Sequence, residues 1–108
     1  MYKDSDKPIL DLIRNTVREQ EPTAEIILYG SRARGDARPD SDWDVIVLVD
    51  RPQPRLSWKE RGNLDYDLWD KGIDIGEEIN ARTYTKQEWE IKPKTAFKYF
   101  VQTEGIKL

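Results

Sequence analysis

Asp42 and Asp44 stand two residues apart at the head of an apolar run, Val45-Ile46-Val47-Leu48-Val49. On a β-strand such a pair projects from one face, with Cα atoms about 6.5 to 7 Å apart. Two carboxylates held together beside apolar neighbours raise each other's pKa and repel, an unfavourable arrangement unless cations neutralise them. Upstream, Gly30 lets the backbone approach an anion, and Ser31 offers both a hydroxyl and an N–H. Arg32, Arg34 and Arg38 add positive charge between the two features. A short helix starting at Ser31 would also point free N–H groups and its positive dipole end at a bound phosphate. The chemistry this order of residues suggests is the handling of a polyphosphate with its divalent cations. A pair of such ions about 3.5 to 4 Å apart aligns a triphosphate and activates an attacking hydroxyl.

Composition narrows the field. The chain of 108 residues contains no histidine and no cysteine, which removes imidazole base catalysis, Ser-His-Asp and Cys-His nucleophiles, disulfides and thiolate metal sites. Carboxylates remain as ligands, and oxygen donors select hard cations, magnesium or manganese. With 18 basic and 21 acidic residues the formal charge is -3, which argues against general adhesion to nucleic acid. The N-terminus has no apolar signal region and no stretch approaches the length of a membrane span. A soluble cytoplasmic domain is the expectation, with neither secretion nor membrane insertion.

The elements that must position these residues are legible in outline, and the length fits one domain spanning 1–108. Ser5 or Asp6 can cap a helix with Pro8 in its first turn, and Ile9, Leu10, Ile13 and Val17 recur at helical spacing until Pro22. Glu25 to Tyr29 is a β-type run ended by Gly30, and Gly35 and Pro39 break the polar stretch from Ser31 to Ser41. Trp43 to Val49 is the clearest strand, stopped by Pro52 and Pro54. From Ser57 to about Asp70 a helix is expected, weakened by Gly62 and Gly72. Glu78 to Thr85 suits a third strand, after which Thr85-Lys86-Gln87-Glu88 has the form of a capping box. Ala96, Phe97, Phe100 and Val101 suggest a last helix ending at Gly105. Trp43, Trp58, Trp69, Trp89 and Tyr29 are read as packing residues of a core or an interface.

Leu28-Tyr29-Gly30-Ser31-Arg32-Ala33-Arg34-Gly35, followed by Ser41-Asp42-Trp43-Asp44, resembles the minimal nucleotidyltransferases of the DNA polymerase β-like superfamily. The Gly-Ser pair, ten residues and Asp-x-Asp reproduce that family's pattern in full. A Gly-Ser pair alone is ordinary turn chemistry, and an Asp-x-Asp alone is often a solvated strand end; the specificity lies in the combination. The resemblance implies an α/β fold with a small mixed sheet of three or four strands packed against helices on one side, the polymerase β-like palm. It implies that Ser31, with Gly30, meets nucleotide phosphates, that Asp42 and Asp44 bind magnesium, and that a third carboxylate on a neighbouring strand completes the site. Glu78 suits that role on a strand from 78 to 85. Asp74, between Ile73 and Ile75, matches the family's apolar-Asp-apolar pattern; Glu77 could serve instead, or the site could lack a third ligand. Arg34 is taken as a nucleotide-binding residue, with Arg32 and Arg38 left open.

The activity implied is transfer of a nucleoside monophosphate, AMP from ATP, to an acceptor hydroxyl, with two magnesium ions or manganese. Larger relatives carry a helical domain for the acceptor, which this sequence lacks, so a partner is expected to supply it. Minimal members of the family are commonly encoded beside a helical HEPN protein, and some are antitoxins that attach AMP to a tyrosine of that toxin. Two further readings stand beside this. One is a catalytically weak nucleotide-binding module that acts by contact; the second is transfer to a small molecule such as an aminoglycoside.

Overall fold

The computed structural model describes residues 4–108. Four strands form one mixed sheet in the order β3-β2-β1-β4. In chain order, α1 (Lys7–Gln20) leads to β1 (Glu25–Tyr29), the one-turn α2 (Ser31–Arg34) and β2 (Trp43–Val49). Then follow α3 (Trp58–Ile73), β3 (Ile79–Thr85), α4 (Lys86–Ile91), α5 (Ala96–Glu104) and the two-residue β4 (Ile106–Lys107). β1 pairs antiparallel with both β2 and β4, whereas β3 lies parallel to β2. The parallel pair needs a crossover, and α3 provides it.

The alternation of strand side chains decides the layers. Ile26 and Leu28 of β1 and Trp43, Val45, Val47 and Val49 of β2 point to one face, where Leu10, Ile13 and Val17 of α1 and Leu64 and Leu68 of α3 cover them. Ile46 and Leu48 point to the opposite face, against Trp89 of α4 and Val101 of α5, with Ile27, Tyr29, Tyr84 and Phe97 at the margin. Helices therefore cover both faces, not the single face that the resemblance implied. This explains why β2 reads as an unbroken apolar run: a strand buried on both sides has no face left to be polar. Each of these fully buried aliphatic side chains contributes about 1.5 to 3 kcal/mol.

The capping boxes form as local sequence dictates. Thr85 Oγ1 accepts from the Glu88 N–H at 2.9 Å while Glu88 accepts from the Thr85 N–H at 3.2 Å, and Ser57 and Glu60 make the same reciprocal pair at the start of α3. α3 runs on to Ile73, through Gly62 and Gly72. At Gly72 a side chain would meet the Glu77 carbonyl at 2.8 Å, so close packing against the next turn requires glycine there. The fourth strand, β4, which the resemblance allowed, could not be located from the residues themselves; two residues carry too little pattern, and only pairing with Ile27 and Leu28 creates it. Among the described residues no helix is long and apolar enough to cross a membrane.

Candidate active site

The turn after β1 is built on Gly30, whose φ of 77° places it where L side chains are strained. Its carbonyl accepts from the N–H groups of Ala33 and Arg34 at 3.1 and 3.0 Å, which starts α2. Gly35, at φ 87°, ends the turn by donating to the Ser31 carbonyl at 3.0 Å. Glycine is required at position 30 for a second reason: a Cβ there would lie 2.6 Å from Asp44 Oδ2. The Gly-Ser turn and the second aspartate are thus in direct contact across the β1–β2 pairing, in which Tyr29 is the partner of Asp44.

Asp42 lies just before β2, held from both sides. Arg32, left open by the sequence, is buried. It donates to the carbonyls of Ser41 at 2.8 Å and Pro39 at 3.2 Å, and its guanidinium lies 4.3 Å from the Trp43 ring centroid. Glu77 accepts from Trp43 Nε1 at 2.9 Å and faces Arg32 at 3.8 Å. Arg32, Trp43 and Glu77 form a structural clamp on the loop that presents Asp42. Such a role leaves no local signal, because most loop arginines are solvated.

On the far side the Trp43 N–H donates to the Glu78 carbonyl at 2.8 Å, extending the β2–β3 pairing to the carboxylates. Glu78 is hydrogen-bonded to Asp42, and that contact and the charge of Asp42 raise its pKa. Asp44 is half-buried, and its pKa is raised first by burial and then by Asp42, with Arg82 and Arg34 pulling it back. Asn80, the register partner of Asp44, donates from Nδ2 to Asp42 Oδ2 at 3.1 Å. Asp42, Asp44, Glu78 and Asn80 are thus one neighbourhood. Asp74 is elsewhere, exposed at the C-terminal end of α3.

Two cavities flank this neighbourhood. One of about 240 Å³ is lined by Gly30, Arg34, Tyr29, Phe97, Phe100 and Glu104. Arg34 reaches it while paired with Glu104 at 3.1 Å and Asp36 at 3.3 Å. The second, about 450 Å³, runs from Asp44, Tyr29, Asn80 and Arg82 over the β3 edge to Trp69. Of the four tryptophans, Trp43 and Trp89 are buried, whereas Trp58 and Trp69 are exposed. Asn80 and Arg82 escaped the sequence reading, since only the parallel register brings them beside residues 36 positions earlier.

Crowded acidic oxygens are the donor type a hard divalent cation takes, and its charge relieves their repulsion. The residues that could hold one are Asp42, Asp44 and Glu78. Among the described residues, however, no three acidic groups converge into a ready-made metal cluster.

A four-stranded mixed sheet carrying a Gly-Ser turn against an Asp-x-Asp strand defines a nucleotidyltransferase palm. Residues 10–107 match the family model described as "Nucleotidyltransferase domain", and the chain belongs to that family. Among solved structures, it is similar to a toxin-antitoxin crystallised with AMP-PNP, at 21% identity and a TM-score of 0.64, covering 90% of this chain and 69% of that one. It is also similar to a single-substitution mutant of the MntA-HpeT toxin-antitoxin, at 22% identity and a TM-score of 0.63, covering 92% and 70%. At these identities the likeness shows the shared fold. No curated protein sequence matches the chain at a significant level.

Proposed function

We propose that this domain transfers AMP from ATP to a hydroxyl of a HEPN-type partner protein, acting in the cytoplasm as the antitoxin of a toxin-antitoxin pair. The observation that carries the proposal is the contact of Gly30 with Asp44: the Gly-Ser turn and the strand of Asp42 and Asp44 share one wall. Nucleotidyl transfer is the chemistry of the family to which the chain belongs. The neighbouring structures, toxin-antitoxins of which one contains AMP-PNP, support a nucleotide and a protein partner.

In this proposal Ser31 and the Gly30 backbone hold the triphosphate, and Arg34 borders it. Asp42, Asp44 and Glu78 hold magnesium, or manganese in its place. The bound cations supply charge neutralisation on the phosphates and acidify the acceptor hydroxyl. The chain contributes orientation, because the Arg32 clamp and the Asn80 amide fix Asp42 before substrate arrives, and prior positioning lowers the barrier to in-line attack. Incubation with labelled ATP, magnesium and the protein encoded beside it tests the proposal. Label is expected on the partner; a verified complex that takes up none contradicts it.

Asn80 favours one second reading. It puts an amide opposite Asp44, where a carboxylate could act as base, so the domain would restrain its partner by contact alone. The double variant Asp42→Asn, Asp44→Asn separates the two, since full inhibition of the partner by that variant supports contact and loss of inhibition supports transfer.

A further inference from the structure

The site region contains four arginines of unequal freedom. Arg32 is buried and spent on loop carbonyls and Trp43. Arg34 is shared between Glu104 and Asp36. Arg38 is exposed on the loop between α2 and β2, where its backbone N–H donates to Ser41 Oγ, and it is not among the residues lining the two cavities. Arg82 is the one of the four that lines a cavity with Asp44. It projects from β3 two residues beyond Asn80, so strand alternation puts it on the face of Asn80 and Asp44. Among the described residues it makes no ion pair. Its guanidinium rests over the Phe97 ring, 5.0 Å from the centroid, and lines the 450 Å³ cavity with Asp44, Tyr29 and Asn80.

A guanidinium on an aromatic face keeps its in-plane N–H groups free, because the contact uses the π surface and not the donors. Arg82 therefore presents a planar fork of donors to an open cavity that also contains a half-buried aspartate. Its position relative to the Gly-Ser turn decides which anion it meets. In the order β3-β2-β1, Asp44 lies on the middle strand, Gly30 on the β1 side and Arg82 on the β3 side. A polyphosphate whose tail occupies the turn would reach Arg82 only with the group on the opposite side of Asp44.

We infer that Arg82 binds the α-phosphate of the nucleotidyl group that is transferred, across Asp44 from the turn that holds the leaving pyrophosphate. The inference deepens the proposed function and rests on it. The bond that forms is from the acceptor oxygen to the α-phosphorus, the bond that breaks is from that phosphorus to the bridging oxygen of pyrophosphate, and the acceptor proton leaves to solvent. Arg82 donates hydrogen bonds to a non-bridging oxygen throughout and exchanges no proton.

The test is calorimetric titration of the whole chain with magnesium-ATP and, separately, with magnesium pyrophosphate. Arg82→Met keeps a long side chain over Phe97 but removes the charge and the donors, and Arg82→Lys keeps the charge without the fork. Loss of a charge-assisted pair weakens binding roughly tenfold or more. Arg82→Met is expected to show that loss for magnesium-ATP, to bind pyrophosphate within about twofold of the unchanged chain, and to unfold at an unchanged temperature; Arg82→Lys falls between. Magnesium-ATP affinity unaltered in Arg82→Met overturns the inference alone. Equal weakening of both ligands overturns the assignment to the transferred group. Absence of magnesium-ATP binding by the unchanged chain overturns the proposed function beneath it.

Discussion

Asn80 stands opposite Asp44 in the parallel pairing of β2 and β3, and its amide nitrogen donates to Asp42 Oδ2 at 3.1 Å. One side chain thus sits at the register position of one aspartate while restraining its neighbour. An amide there favours an ordered carboxylate pair in the absence of cations; a carboxylate there would favour cation binding at the cost of further repulsion.

Asn80→Asp should accordingly lower the unfolding temperature without magnesium and enlarge the rise that magnesium produces. Thermal unfolding with chelator and with millimolar magnesium measures both. An identical magnesium response in the two proteins would show that position 80 lies outside the cation site.

Gly30→Ala combines a side chain at φ 77° with a Cβ placed 2.6 Å from Asp44 Oδ2. Backbone strain of this kind costs about 1 to 3 kcal/mol. Urea unfolding should report that loss, and calorimetry should report a larger loss of nucleotide binding than stability alone explains, because Asp44 must move. A stable variant that binds nucleotide normally would contradict the shared wall.

The acidic pair also predicts a pH signature. Asp44 has its pKa raised, by burial first and by Asp42 second, and Glu78 has its own raised by its hydrogen bond with Asp42. A carboxyl whose folded pKa exceeds its unfolded value binds its proton more tightly in the folded state, so folding stability gains as pH falls through the folded pKa and is lost as pH rises through it. Asp11 and Asp50, with lowered values, act in the opposite sense. The measurement is therefore a difference: unfolding free energy against pH for the unchanged chain and for Asp44→Asn without metal. Asp44→Asn should be the more stable protein above the carboxylate range, with the gap closing on acidification. A gap independent of pH would mean that Asp44 is unperturbed.

Arg32→Ala removes the clamp on the Pro39 and Ser41 carbonyls and leaves Glu77 beside Trp43 without its cation. Breaking a buried polar network of this size costs about 2 to 4 kcal/mol. Chemical denaturation should show that loss, and hydrogen exchange should show faster opening from Ser31 to Asp42. A surface-like effect below about 0.5 kcal/mol would return Arg32 to the solvated loop face.

The parts of this molecule written in consecutive residues were legible, and the parts written across strands were not. Gly30-Ser31, Asp42 and Asp44, the apolar run of β2 and the Thr85-Glu88 box all act within a few positions of one another. Helices on both faces could not be read from β2, since an unbroken apolar strand says that both sides are covered without saying by what. Glu78, Glu77 and Asp74 were not separable in sequence because their distinction is spatial: Glu78 meets Asp42, Glu77 meets Trp43, and Asp74 ends α3. Arg82 and Asn80 acquire their setting only when β3 pairs parallel to β2, a contact that spans the whole of α3.

If the glycine-serine turn and the two aspartates make one receptor for a magnesium nucleotide, its binding must depend on both carboxylates. Isothermal titration of magnesium-ATP into the unchanged chain and into Asp42→Asn, Asp44→Asn decides the matter. Saturable heat in the first and none in the second is expected. No heat in the unchanged chain, or equal heat in both, would contradict a shared receptor.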